Sequence, residues 1–361
     1  MNSRAHNLST LGWGEYFEAH FQPYEASDFN AARIVLEYKD TYRVYAEDGE
    51  QSAEITGKMR HDAANRKDLP AVGDWVVIRP RPEGNIAMIH AVLPRRSAFT
   101  RKVAGSRVEE QIVGANIDTV FLITSLNQDF NPRRIERYLT VAWDSGASPV
   151  IILSKADLCE EVEEQIAAIQ NAAAGVPVHA VSVTKHSGLD ELAQYFRHGQ
   201  TVALLGSSGV GKSTLINHLL GHDYQRVQEV REQDDRGRHT TTRRELILLP
   251  QGGLVLDTPG MRELQLWDAE GGLHRAFEEI EAVARSCYFS DCCHKDEPRC
   301  AIREALAEGI IDAARYGNYE KLQKELNYVS RKQDISAQVT EKKRWKKLTR
   351  LASQRARIKR S

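Results

Sequence analysis

The chain has 361 residues, 41% hydrophobic and 27% charged, with a formal net charge of −1, proportions of a globular protein and not of a collagenous, low-complexity or coiled-coil chain. No run of 18 apolar residues occurs, and the N-terminal MNSRAHNLSTLGWGEYFEAHF has no apolar leader core, so neither membrane insertion nor secretion is expected. The small net charge hides an asymmetry: residues 342–361 carry ten Lys or Arg and no acid, against 39 basic and 50 acidic residues in the rest of the chain, and such basic blocks often meet polyanions.

In chain order, residues 1–30 form an aromatic, polar extension (Trp13, Tyr16, Phe17, Phe21, Tyr24) that suits a short helix packed on a neighbour. Residues 31–97 alternate apolar and polar in ARIVLEY, TYRVYAED and GDWVVIRPR, with turns at Asp48-Gly49, Gly73-Asp74 and Glu83-Gly84-Asn85. About five short strands in such a length fit a small OB-like barrel, a fold that often binds nucleic acid. Residues 95–107, RRSAFTRKVAGSR, hold five basic side chains and no acid and read as a basic linker, either a solvated connector or an RNA contact. From residue 117 the apolar runs 120–124, 149–153, 178–183 and 201–206 read as buried parallel strands, with helical patterns at 131–144, 160–174 and 188–198 between them. The expectation is a doubly wound α/β domain over 98–284, a mainly helical domain over 285–341 and a basic tail over 342–361.

Residues 206–213, GSSGVGKS, match G-x-x-x-x-G-K-[ST] between an apolar strand and a helical pattern. Gly206, Ser207, Ser208, Gly209, Val210, Gly211, Lys212, Ser213 and Thr214 are therefore candidates to bind a nucleotide's phosphates. Backbone N–H groups and the helix N-terminus face the phosphate oxygens, Lys212 reaches the β- and γ-phosphates, and the Ser213 hydroxyl ligates Mg²⁺. LVLDTPG at 254–260 is a strand ending in Asp257, a second candidate for Mg²⁺, while the Gly260 N–H can meet a γ-phosphate. GRHTTT at 237–242 can complete the Mg²⁺ shell through Thr241, with Thr240 as the alternative.

The base is read from SKAD, which closes the strand PVIIL and resembles the NKxD motif of GTPases. Asp157 can accept from guanine N1–H and the N2 amine together, whereas adenine has no N2 amine and an acceptor at N1. Lys155 packs over the base, and Ser154 stands where an Asn is usual. Ser154, Lys155, Ala156 and Asp157, with Ser182 and Val183 of the SVTK loop, form the candidate base site. These base-reading motifs precede the phosphate loop, and the threonine loop and DTPG follow it: the motif order of a circularly permuted GTPase domain, which needs only neighbouring termini to keep the same sheet.

Residues 287–300, CYFSDCCHKDEPRC, place Cys287, Cys292, His294 and Cys300 as C-x4-C-x-H-x5-C. Three thiolates and an imidazole suit one closed, tetrahedral, structural Zn²⁺ site, with Cys293 as a competing thiol.

Together these segments resemble the circularly permuted, small-subunit-dependent GTPases of the RsgA family across about residues 31–320, departing at Ser154. The resemblance implies a monomeric cytoplasmic factor for late 30S ribosomal subunit maturation. It hydrolyses GTP to GDP under stimulation by that subunit and touches 16S rRNA through the barrel and zinc domain. Many GTPases orient the attacking water with a Gln after the DxxG glycine. Met261 stands there, so the isolated chain is expected to be slow, and His239 is the candidate catalytic group. A nucleotide-gated RNA-binding module with negligible hydrolysis is the competing class. A P-loop kinase is disfavoured by SKAD and DTPG.

Overall fold

The computed structural model describes residues 7–38, 41–80, 86–103, 109–127, 130–221, 244–257 and 270–328. His239, Thr240, Thr241, Gly260, Met261 and the basic tail lie outside the described residues.

Strands β1 (Asn30–Glu37), β2 (Tyr42–Ala46), β3 (Gly49–Ile55), β4 (Trp75–Arg79) and β5 (Ile86–Val92) pair in the order β1-β2-β3-β5-β4, and β1 also pairs with β4, closing a five-stranded barrel. Its core holds Ile34, Trp75, Ile78 and Ile89 at zero exposure. The aromatic extension forms helix α1 (Glu15–Glu25), whose Phe17 is buried, and Trp13 and Phe17 both pack on Trp75. Helix α2 (Gly57–Asp62) is capped by the Thr56 side chain, which accepts from the Met59 N–H.

The basic stretch at 95–107 is not a plain connector. Ala98–Val103 is strand β6, paired antiparallel with β7 (Glu109–Ala115) in a separate two-stranded sheet. Phe99 is fully buried there, and Gln111 of β7 accepts from Arg101 at 3.3 Å.

Six strands build the α/β sheet in the order β10-β9-β8-β11-β13-β12: β8 (Thr119–Ser125), β9 (Ser148–Ser154), β10 (Val178–Val181), β11 (Thr201–Leu205), β12 (Glu245–Leu248) and β13 (Leu254–Asp257). All neighbours run parallel except β12, which is antiparallel to β13. Among the described residues, helices α3 (Pro132–Ser145), α4 (Val162–Ala172) and α5 (Lys212–Leu220) flank this sheet. Signals at both ends fix α3: the Asn131 side chain accepts from the Arg133 N–H, Pro132 opens the helix, and Gly146 ends it at φ 84°. The helix expected at 188–198 is instead a 3₁₀ segment, Asp190–Tyr195. It spans a short gap between β10 and β11, and burying both Leu192 and Phe196 on the sheet suits the tighter turn.

The barrel and the α/β sheet are continuous, because β1 pairs with β12 at Leu36↔Glu245. Arg33 of β1 is 1% exposed and donates to the carbonyls of Leu11, Gly73 (3.2 Å) and Asn116 (3.0 Å) and to Thr201 Oγ1 (2.9 Å) at the start of β11. Burial draws its pKa down to about 10, so it stays charged at neutral pH.

The C-terminal unit holds helices α6 (Glu270–Ala276), α7 (Glu278–Ala284) and α8 (Ala301–Ala307) and a further helix over 313–328. It docks on α3. Glu136, 4% exposed, accepts from Arg315 at 2.7 Å and from Asn318, and Arg137 makes a two-pronged contact with Glu325 at 2.7 and 2.8 Å.

Candidate nucleotide and metal sites

The parallel strands all end on one edge of the sheet, and the connections turn to opposite sides of β11, the position at which such sheets bind ligands. Residues 206–211 leave β11 there and enter α5. At Gly206 an added Cβ would lie 2.4 Å from Ile123 O, so only glycine passes. Gly211 caps α5 at φ 96°, a conformation that other residues resist. Lys212 Nζ donates to the carbonyls of Gly206 (2.7 Å) and Ser207 (2.6 Å), which folds the loop around its own ammonium group. Ser208, Gly209 and Thr214 are exposed, Ser213 is half-buried, and Val210 is buried beneath the loop. Arg134, in the first turn of α3, donates to Ser207 Oγ at 3.2 Å, a contact the sequence did not signal.

Asp257 closes β13. The β11–β13 register pairs Ala203 with Leu256, so Asp257 comes level with Leu204, just before the loop begins. The aspartate and the phosphate loop thus share the same edge.

On the other side of β11, β9 ends at Ser154 and Lys155 turns the chain at φ 57°. Asp157 is exposed beyond it and accepts from the buried Ser182 hydroxyl. Ser182 Oγ also accepts from the Lys185 N–H at 3.1 Å, and Val183 packs on the core beside them. SKAD and SVTK, 25 residues apart from Asp157 to Ser182, therefore meet. Ser154 Oγ donates to Val210 O at 2.6 Å and lies 3.2 Å from Thr124 O, joining the base-reading loop to the phosphate loop.

Between α7 and α8, the ligand atoms of Cys287, Cys292, His294 and Cys300 all lie within 4.8 Å of one another. His294 Nδ1 is 3.5 Å from the sulfurs of both Cys287 and Cys300. His294 is placed by a left-handed backbone turn, φ 60°. Tetrahedral zinc with Zn–S bonds of about 2.3 Å sets sulfurs about 3.8 Å apart, and Cys287 and Cys300 are 4.0 Å apart. The donor set fits that ion. Burial raises the Cys287 thiol, but the backbone N–H groups of Ile302 and Ala301 outweigh it and hold Cys287 below its ordinary range. Cys292 is pushed up to about 11 by desolvation and by the neighbouring sulfurs, a repulsion a bound cation removes. Cys293 is exposed, points to Asp291 O at 3.6 Å and is not part of the cluster.

These features coincide with known proteins. The family model described as RsgA GTPase matches residues 92–267, and one described as 50S ribosome-binding GTPase matches residues 201–343, beginning at the phosphate-loop strand. The chain is 47% identical to the small ribosomal subunit biogenesis GTPase RsgA of Opitutus terrae, across 97% of this chain and 98% of that one. It is 46% identical to RsgA 1 of Oceanobacillus iheyensis, across 88% and 91%. Among solved structures it resembles YjeQ from Thermotoga maritima (TM-score 0.64, 29% identity, 82% of this chain and 98% of that one). It also resembles YloQ, described as a circularly permuted GTPase (TM-score 0.60, 26% identity, 83% and 95%). With base-reading loops upstream of the phosphate loop on one sheet edge, and relatives this similar over nearly their whole length, the chain belongs to the RsgA family of circularly permuted GTPases.

Proposed function

We propose that the chain hydrolyses GTP to GDP and phosphate as a late assembly factor of the small ribosomal subunit. The contact of Asp157 with Ser182, on the same sheet edge as the phosphate loop, carries the guanine reading. The names of the relatives support the choice of the small subunit over the large one.

In this reading Lys212 and the backbone of 206–214 hold the phosphates, and Ser154–Asp157 with Ser182 and Val183 hold the base. Ser213, Asp257 and Thr241 ligate Mg²⁺, Gly260 meets the γ-phosphate, and His239 orients or deprotonates the attacking water. Bound Mg²⁺ supplies charge neutralisation on the β- and γ-phosphates. Cys287, Cys292, His294 and Cys300 hold one Zn²⁺, and four protein ligands leave no open position, so its role is structural. The partners are the 30S subunit and its 16S rRNA, met through the barrel, the zinc unit and the basic tail. The protein works as a cytoplasmic monomer. No helix among the described residues is long and apolar enough to cross a membrane.

Co-sedimentation with purified 30S and 50S subunits tests the partner. Binding to 30S is expected, stronger with a non-hydrolysable GTP analogue than with GDP. Removing residues 342–361 should weaken it and flatten its salt dependence, because fewer counterions are released. Equal binding to both subunits, or to neither, contradicts the reading.

A further inference from the structure

The first residue of β12, Glu245, has a neighbour on each side: Leu36 of the barrel strand β1 and Asp257 at the end of β13. Among the described residues the β12–β13 ladder has four pairs, Glu245↔Asp257 to Leu248↔Leu254, and the pair carrying Asp257 is its terminal one. Terminal pairs of short ladders open most readily. Next to Glu245 stands Arg244. Its guanidinium donates to Glu37 Oε2 (3.3 Å), to Ile112 O (3.3 Å) and to Gln111 Oε1 (3.2 Å). Its side chain is 10% exposed. The three acceptors come from the barrel strand β1 and from the β6–β7 hairpin, and none comes from the α/β sheet that β12 belongs to. The same Gln111 oxygen accepts from Arg101, which fixes its orientation. Further along β1, Arg33 reaches Thr201 at the start of β11. Strand β1 thus grips the α/β sheet twice, once at the root of the phosphate-loop strand and once beside the strand end bearing Asp257.

We propose that Arg244 is a positioning residue for the magnesium site: by clamping the start of β12 to Glu37 and the hairpin, it holds the terminal pair that sets Asp257, and so couples the barrel to nucleotide binding. A ligand that moves the barrel then reaches the metal end of the nucleotide without touching it. The inference rests on the reading of Asp257 as a magnesium ligand. A lysine at 244 has no two-nitrogen fork to reach Glu37, Ile112 and Gln111 together, so it restores the function only in part.

The test uses the full-length protein and a fluorescent N-methylanthraniloyl GDP, titrated with Mg²⁺ and again in excess chelator. The variants are Glu37→Gln, Arg244→Lys, Arg244→Ala and Asp257→Asn, each with its thermal melt recorded. Arg244→Ala and Glu37→Gln should each raise the Mg²⁺ concentration for half-maximal tightening by about tenfold, the scale of losing a hydrogen bond to a charged group. Arg244→Lys should fall between Arg244→Ala and the wild type. Affinity in chelator should stay at the wild-type value, because the phosphate loop and base site are untouched. A lowered melting temperature with an unchanged Mg²⁺ midpoint in Glu37→Gln, the isosteric change least able to disturb folding, overturns the coupling and leaves Arg244 a structural clamp only. If Asp257→Asn leaves the midpoint unchanged, the magnesium reading itself is wrong and the coupling falls with it. If Asp257→Asn shifts it and the other variants do not, the coupling alone is wrong.

Discussion

The Ser154 hydroxyl donates to the carbonyl of Val210, so one side chain ties the loop that reads the base to the loop that holds the phosphates. Serine is shorter than the asparagine usual at this position, yet β9 ends close enough to the phosphate loop for the shorter side chain to reach. The tie braces the phosphate loop against the loop that carries Asp157.

Ser154→Ala should therefore weaken GTP and GDP by the same factor, about fivefold for a lost neutral hydrogen bond of ~1 kcal/mol. The preference for guanine over adenine should not change. Equilibrium binding of GDP and ADP to the variant checks both statements.

In the proposed reading Asp157 selects the base. It is exposed just beyond β9 and accepts from the Ser182 hydroxyl, which also caps the Lys185 turn. Asp157→Asn removes the carboxylate that pairs with guanine N1–H and N2–H. GTP affinity should fall by about 10²-fold, and preference should move toward XTP, whose 2-oxo group accepts from an amide. Competition by GTP, XTP and ATP measures the shift, and equal displacement by GDP and ADP in the wild type would contradict the guanine assignment.

Part of this architecture is written locally in the sequence and part is not. GSSGVGKS is legible because its glycines answer needs met within a few residues, such as the left-handed turn of Gly211 at the start of α5. The barrel strands in ARIVLEY, TYRVYAED and GDWVVIRPR and the strands at 119–125 and 148–154 are legible because their apolar pattern matches their burial, whereas β3, GEQSAEI, carries little apolar signal. Strand β6 is not legible because AFTRKV, with Arg101 and Lys102 adjacent, shows no clear alternation, and its pairing with β7 becomes visible only once the chain has folded back. Arg33 and Arg244 look like surface charges in sequence. Their acceptors lie as far as 168 residues away for Arg33 (Thr201) and 207 for Arg244 (Glu37), so nothing local marks them as buried. The choice between Cys292 and Cys293 rests on backbone direction, which spacing alone leaves open.

The cysteine cluster predicts a metal count. Freshly purified protein should contain about one Zn²⁺ per chain by elemental analysis. Cys292→Ala and His294→Ala should lose it and loosen residues 285–300, since zinc in such sites supplies on the order of 10 kcal/mol to local folding. Cys293→Ala should retain it, because that thiol faces Asp291 O outside the cluster. Zinc lost from Cys293→Ala would show the wrong sulfur had been assigned.

Glu136 of α3 meets Arg315 and Asn318 of the C-terminal unit. Burial raises its pKa, while Arg315 and the Asn318 amide oppose that rise. Glu136→Ala leaves the Arg315 guanidinium, 14% exposed, without one of its carboxylates. Such a loss costs about 3 kcal/mol. The expected result is faster proteolysis within 270–328, with cleavage of the barrel unchanged.

The central claim is GTP hydrolysis switched on by the small ribosomal subunit, and the most direct measurement is GTP turnover by the full chain alone, with purified 30S and with purified 50S. The account predicts slow turnover alone and a large increase with 30S only. That stimulated rate should be abolished by Lys212→Ala and reduced by about 10²-fold in His239→Ala, with GTP and 30S affinities retained in the latter. Equal turnover in all three conditions, or stimulation by 50S in place of 30S, would contradict it.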